Sequence, residues 1–214
     1  MLGDLPLRMI DFAGEQVAYV AFVPTSYRAG HAVPAILLVH GAGGNGPDFL
    51  SVWREFAEKQ GVILIAPTLS LTAEMETKVS QLFPAIVGSA AKEWTIDSTR
   101  RYVFGYSAGG YSAFAATMMR PRYFAATGIF ASMIAPDYES TIRRPERPMG
   151  IAYYIGDHDQ FFSLAQTRHT RDLLTANGFE VHYVELRGRD HSFRAAAPDV
   201  LEDAWNIMRR YTLP

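Results

Sequence analysis

Two short apolar runs, Ala35-Ile-Leu-Leu-Val39 and Val62-Ile-Leu-Ile-Ala66, have no polar face. Strands that are apolar on both faces must be covered on both, as in a parallel sheet held between helices. Between the two runs, Phe49, Val52, Trp53, Phe56 and Ala57 recur at helical spacing, so Phe49 to Lys59 reads as a crossover helix. The alternation continues with strands at Tyr102 to Gly105, Ala125 to Phe130, Gly150 to Ile155 and Glu180 to Leu186. Helices are expected at Ser107 to Met119, Leu164 to Ala176 and Pro198 to Tyr211. A further helix belongs within Ala73 to Val87, where Pro84 is expected to end or kink it. Ahead of all this, Arg8 to Phe12 and Gln16 to Val23, joined by a turn at Gly14, read as an antiparallel hairpin. The pattern predicts an α/β fold with a mostly parallel sheet and helices on both faces. Right-handed crossovers gather the C-terminal strand ends along one edge, where ligands bind.

Nothing divides the chain. Its 214 residues show no repeat, linker or low-complexity run, so residues 1–214 are expected to form one domain. Apolar residues make up 49%, charged residues 20%, and the net charge is -2, which offers no basic footprint for nucleic acid. The absence of cysteine excludes disulfides, thiolate nucleophiles and zinc–thiolate sites. The N-terminal Met1-Leu-Gly-Asp-Leu-Pro6 lacks a basic region followed by an apolar run, and no stretch is long and apolar enough to span a membrane. A cytoplasmic protein without a membrane or nucleic-acid partner is the default expectation.

Gly105-Tyr-Ser-Ala-Gly109 lies between an expected strand and an expected helix. This is the context of a nucleophile elbow, in which a serine is held in a strained turn at the sheet edge. Ser107 is the candidate nucleophile. A serine hydroxyl needs a positioned base, and the base an orienting acid. His191, in Gly188-Arg-Asp-His-Ser-Phe193, follows the last strand and is the candidate base. Asp159 is the favoured acid, because a side chain farther into the loop after Gly150 to Ile155 can turn back toward His191. Asp157 and Asp137 remain topologically allowed. An acyl-transfer site also needs backbone donors for an oxyanion. The amide of Ala108 supplies one, and that of Ala42, in the loop His40-Gly-Ala-Gly-Gly-Asn-Gly46, the other. His40 itself reads as a brace for that loop. The histidines and carboxylates show no metal-ligand spacing, so neither metal nor organic cofactor is expected.

Leu38-Val-His-Gly-Ala-Gly-Gly-Asn45, Phe56-Ala-Glu-Lys-Gln-Gly-Val-Ile-Leu-Ile-Ala-Pro67, Asp97 to Gly110, Pro121-Arg-Tyr-Phe-Ala-Ala126 and Gly156-Asp-His-Asp159 together resemble the α/β-hydrolase family. Within it they look most like the polyhydroxybutyrate depolymerase and feruloyl esterase branch. The resemblance implies a twisted sheet of about seven to eight strands with little or no cap. It also implies a Ser107–Asp159–His191 triad, with Asp159 as the acid of a G-x-x-D turn, and an oxyanion hole at Ala42 and Ala108. The Ser70 to Trp94 stretch departs from the branch and is expected at the pocket rim. The expected activity is hydrolysis of carboxylic esters of small soluble molecules, with short-chain acyl or aryl (feruloyl) groups. Tyr106, Phe161, Phe162 and Phe193 adjoin the candidate residues and could line the substrate pocket or simply pack as core. An amidase or small-peptide hydrolase using the same triad, and a non-catalytic ligand-binding relative, are the alternatives.

Overall fold

A computed structural model describes residues 5–71 and 73–214. Met1 to Asp4, where the leader reading begins, and Thr72, within the Ser70 to Trp94 stretch, lie outside the described residues. The strands are β1 (Arg8–Phe12), β2 (Glu15–Phe22), β3 (Val33–Val39), β4 (Ile63–Pro67), β5 (Ile96–Tyr106), β6 (Ala126–Phe130), β7 (Gly150–Gly156) and β8 (Glu180–Leu186). The helices are α1 (Gly46–Gln60), α2 (Ala73–Ala90), α3 (Ala108–Met119), α4 (Pro136–Glu139), α5 (Leu164–Ala176) and α6 (Phe193–Met208). The strands form one eight-stranded sheet in the order β1-β2-β4-β3-β5-β6-β7-β8. β1 and β2 join it antiparallel, and every later pairing is parallel.

Strand periodicity divides the interior into two cores. Ile36, Leu38, Leu64, Tyr102, Phe104 and Tyr154 face Trp53 and Phe56 of α1 and Phe193, Val200 and Trp205 of α6. Their neighbours Leu37, Val39, Ile63, Ile65, Val103 and Tyr153 face Phe83 and Ile86 of α2, Phe114 of α3 and Leu174 of α5. The continuous apolar runs are therefore strands covered on both faces.

Several boundaries differ from the sequence reading, three of them for reasons the structure makes plain. α2 does not end at Pro84 but continues to Ala90, because burial of Leu82, Phe83, Ile86 and Val87 outweighs the one backbone hydrogen bond that proline removes. α6 begins at Phe193 rather than Pro198, capped by Ser192 Oγ accepting from the Ala195 N–H at 3.4 Å. Pro198 therefore lies inside the helix and not at its start. β5 starts at Ile96, where polar residues hid it: Asp97 Oδ1 accepts from the Thr99 N–H at 2.8 Å, and the pairing with β3 shifts register between Val33 and Ala35. Between β6 and β7 the single turn α4 is the one helix, so no large cap is inserted at that connection.

Candidate active site

The turn from β5 into α3 is built by close approach. A Cβ at Gly105 would collide with the Gly109 backbone, and one at Gly109 with the Val39 and His40 carbonyls, so both positions require glycine. Between them Ser107 adopts φ 53° and ψ -120°, a conformation costly for a residue with a side chain. The turn is held by the Ser107 N–H donating to Phe130 O at 3.0 Å and the Gly110 N–H donating to Ser107 O at 2.8 Å. Ala108 is the first residue of α3, so its N–H has no acceptor within the helix and lies at the positive end of the helix dipole.

Beyond β7 and β8, two loops are joined by their backbones. The His158 N–H donates to Arg189 O at 2.9 Å, and the Asp157 N–H to Leu186 O at 3.1 Å. Asp157 Oδ1 accepts from the Gly188 N–H at 2.6 Å, so this carboxylate fastens the two loops together. Asp159 turns the other way. Its Oδ2 lies 2.7 Å from His191 Nδ1, while Oδ1 accepts from the N–H groups of Phe161 and Phe162 at 2.8 and 2.9 Å. His191 Nε2 lies 2.9 Å from Ser107 Oγ. The Asp159 side chain has no exposed surface and that of His191 is 12% exposed, so this line of hydrogen bonds is shielded from water. Asp137, on α4, is exposed and outside it.

The structure thus brings Ser107, His191 and Asp159 together and leaves the other histidines elsewhere. His158 and His31 are exposed, His169 meets Glu139 at 2.9 Å, and His182 meets Asp203 at 2.8 Å. His40 is buried under the glycine loop, where its Nε2 accepts from the Leu69 N–H at 3.0 Å and its Nδ1–H donates to Gly41 O at 2.7 Å. Burial pushes this imidazole below its ordinary pKa, outweighing the Gly41 hydrogen bond, and the two contacts fix one neutral tautomer. The loop it braces packs on the elbow: a Cβ at Gly41 would lie 3.2 Å from Ser107 Cβ. Ala42 follows in that loop and is exposed at its surface.

Aromatic rings enclose the imidazole. Phe161, Tyr106 and Phe162 have centroids 4.6, 5.3 and 5.8 Å from it. Burial, together with Asp159 and Asp190, raises the Tyr106 phenol, which therefore stays neutral. Phe193 is 3% exposed and packs on Trp53, Phe104 and Phe130, so most of its surface belongs to the core. A cleft of about 230 Å3 opens beside the elbow between His40–Asn45, Tyr106 and Ser192–Arg194. Asn45, Asp48, Phe49, Val52 and Arg194 also line it, and sequence reasoning passed over them. The Asn-Gly-Pro-Asp run was the available signal: Asn45 Oδ1 caps α1 by accepting from the Asp48 N–H at 2.8 Å, which fixes both residues at the rim. Among the described residues, no three His, Asp or Glu side chains cluster as metal ligands, and no helix is long and apolar enough to cross a membrane.

No protein-family model matches the chain. A curated relative, the bifunctional acetylxylan esterase/xylanase XynS20E of Neocallimastix patriciarum, is 22% identical over 84% of this chain. The chain spans only 31% of that relative's length. Among solved structures, a thermostable esterase superposes with a TM-score of 0.76 at 19% identity, over 98% of this chain and 63% of that one. A ferulic acid esterase from Anaeromyces mucronatus, solved with ferulic acid, gives 0.75 at 13% identity, over 97% of this chain and 90% of that one. With helices packed on both faces of its sheet, a strained serine where β5 turns into α3 and almost no cap, the chain has the α/β-hydrolase fold.

Proposed function

We propose that the chain is a serine hydrolase that cleaves carboxylic esters of small molecules, with short-chain or aryl acyl groups, through an acyl-enzyme on Ser107. The reading treats residues 1–214 as one hydrolase domain. The observation that carries it is the continuous line from Asp159 through His191 to Ser107, with contacts of 2.7 and 2.9 Å. With Nδ1–H held by the carboxylate, Nε2 is left as the acceptor facing the hydroxyl. Nε2 takes the Ser107 proton as Oγ bonds to the ester carbonyl carbon, and the carbonyl π pair moves onto oxygen. That oxyanion is met by the Ala108 N–H at the α3 N-terminus and by the Ala42 N–H, each donor contributing about 3–4 kcal/mol. The carbonyl then re-forms, the bond to the alcohol oxygen breaks, and His191 gives its proton to the departing alkoxide. Water repeats the sequence on the acyl-serine and releases the acid. Every step is a proton or acyl transfer among these groups, so the reading assigns no cofactor. The esterase names of the curated relative and of both solved structures support the same reaction class, and the ferulic acid complex supports an aryl acyl group.

The test is a fluorophosphonate probe followed by peptide mass mapping, combined with a panel of p-nitrophenyl and feruloyl esters and anilides of matched acyl group. Labelling at Ser107 with ester turnover well above anilide turnover is expected. Anilides cleaved as fast as esters would favour the amidase reading, and neither adduct nor turnover would leave a ligand-binding protein.

A further inference from the structure

We infer that the cleft beside the elbow receives the alcohol half of the ester and that Arg194 makes it selective for alcohols carrying a carboxylate; this deepens the esterase reading and rests on it. The cleft is lined by Gly41 and Ala42 of the proposed oxyanion loop, by Tyr106, which precedes Ser107, and by Ser192 to Arg194, which follow His191. A Cβ at Gly41 would lie 3.2 Å from Ser107 Cβ, so the cleft starts at the nucleophile. In the proposed reaction His191 hands its proton to the departing alkoxide. The alcohol therefore leaves along the wall that the residues after His191 build. At about 230 Å3 the space is far larger than one water needs and takes a ring-sized alcohol.

Arg194 is the one arginine or lysine of this lining. It stands on the first turn of α6, where a cation meets the positive end of the helix dipole, so the helix gains nothing from its charge. Its side chain reaches across to α1, and Nη2–H donates to Ser51 Oγ at 3.2 Å. That neutral partner is itself fixed, because the Ser51 hydroxyl donates to Asp48 O at 2.7 Å. Among the described residues no carboxylate pairs with Arg194, whereas Arg189, in the loop before α6, is paired with Asp199 at 2.6 Å. The tether aims the guanidinium, and its remaining N–H groups form a planar fork that matches a carboxylate. The nearby acids are already engaged. Asp48 Oδ2 accepts from Asn45 Nδ2 at 2.8 Å, and this side chain lies in the first turn of α1, close to the positive end of that helix. Asp190 does not line the cleft, and its Oδ1 accepts from the Ser192 N–H at 2.8 Å. The unmatched charge of the cleft is therefore the guanidinium, and the apolar surface of Phe49 and Val52 beside it suits the carbon frame of the alcohol.

The test uses matched esters. Its alcohol arm compares kcat/KM for p-acetoxybenzoate with that for the neutral isostere p-acetoxybenzamide, and its acyl arm compares p-nitrophenyl p-carboxybenzoate with p-nitrophenyl p-carbamoylbenzoate. Each ratio is taken in wild type, Arg194→Ala, Arg194→Lys and Asp48→Asn, so that intrinsic leaving-group reactivity cancels between variants. NMR titration with p-hydroxybenzoate and p-hydroxybenzamide reads binding alone. Arg194→Ala is expected to cut the alcohol-arm ratio about tenfold. Arg194→Lys should keep part of it, since the charge stays and the fork is lost. Asp48→Asn should raise it about twofold by removing a like charge from the rim. The wild-type ratio should fall as NaCl rises, a fall that Arg194→Ala should lose. An alcohol-arm ratio that Arg194→Ala leaves unchanged overturns the inference, while ester turnover keeps the esterase reading. A change confined to the acyl arm overturns the placement of the alcohol half. Binding of p-hydroxybenzoate that Arg194→Ala weakens, in a protein that hydrolyses no ester, keeps the carboxylate-selective cleft and sinks the esterase reading. Neither binding nor hydrolysis sinks both.

Discussion

Phe161 sets its ring against His191, centroids 4.6 Å apart and planes tilted by 55°, while its own N–H donates to Asp159 Oδ1 at 2.8 Å. One residue therefore touches both the candidate base and the candidate acid, although it is 67% exposed. Phe161→Ala keeps the backbone donor and removes the ring, admitting water to the imidazole. Turnover should fall roughly tenfold through a loosened base, with stability changed by less than about 0.5 kcal/mol. Urea denaturation and kcat/KM on one ester check the two halves separately, and unchanged turnover would show that the ring only covers surface.

The two loop carboxylates should separate cleanly. Asp159→Asn should lower turnover by about 10⁴-fold, as an imidazole loses its orienting partner. Ser107→Ala should lower it by about 10⁴-fold or more with the fold intact. Asp157→Asn should cost about 1 kcal/mol of stability through the Gly188 contact and leave turnover within a few-fold. Equal activity losses at Asp157 and Asp159 would contradict these roles.

His40 carries a pH dependence of known sign. Its folded pKa lies below its ordinary value because burial penalises the charged ring. The unfolded chain therefore binds the proton more readily as pH drops below about 6.5. The stability His40 contributes is fully present above that pH and is lost as pH falls through the folded value. Denaturation midpoints at pH 8 and pH 5.5 should differ more in wild type than in His40→Gln; identical differences would place the proton elsewhere.

Two glycines should respond with opposite signs. Gly105→Ala forces a methyl into the Gly109 and Gly110 backbones and should cost about 3 kcal/mol or more. Gly88→Ala, inside α2 with nothing within 4 Å of the added carbon, should stabilise by about 0.5–1 kcal/mol. Thermal midpoints of the two variants decide the matter.

Element identity was legible wherever periodicity and burial agreed. The runs at Ala35 and Val62 are strands because both faces are covered, and the candidates Ser107, Asp159 and His191 were singled out because each follows a strand end. The failures have local causes. Pro84 and Pro198 lie inside helices held by tertiary burial, which single-residue preference cannot weigh. Ile96 to Arg100 was too polar to read as strand, and Asn45, Asp48 and Arg194 reach the cleft only through the placement of α1 and α6 in three dimensions.

Phe193 stands two residues after His191 and packs on Phe49 and Trp53 of α1 and on Phe104 and Phe130 of the sheet. The candidate base is thus mounted next to a cluster of packed aromatic rings, and its aim inherits the rigidity of that packing. A repacking of Trp53 intended only to raise thermal tolerance would also re-aim the imidazole at Ser107. Selection for heat resistance and selection for turnover therefore act on the same rings, and a library built across α1 and the start of α6 cannot vary one trait while holding the other fixed.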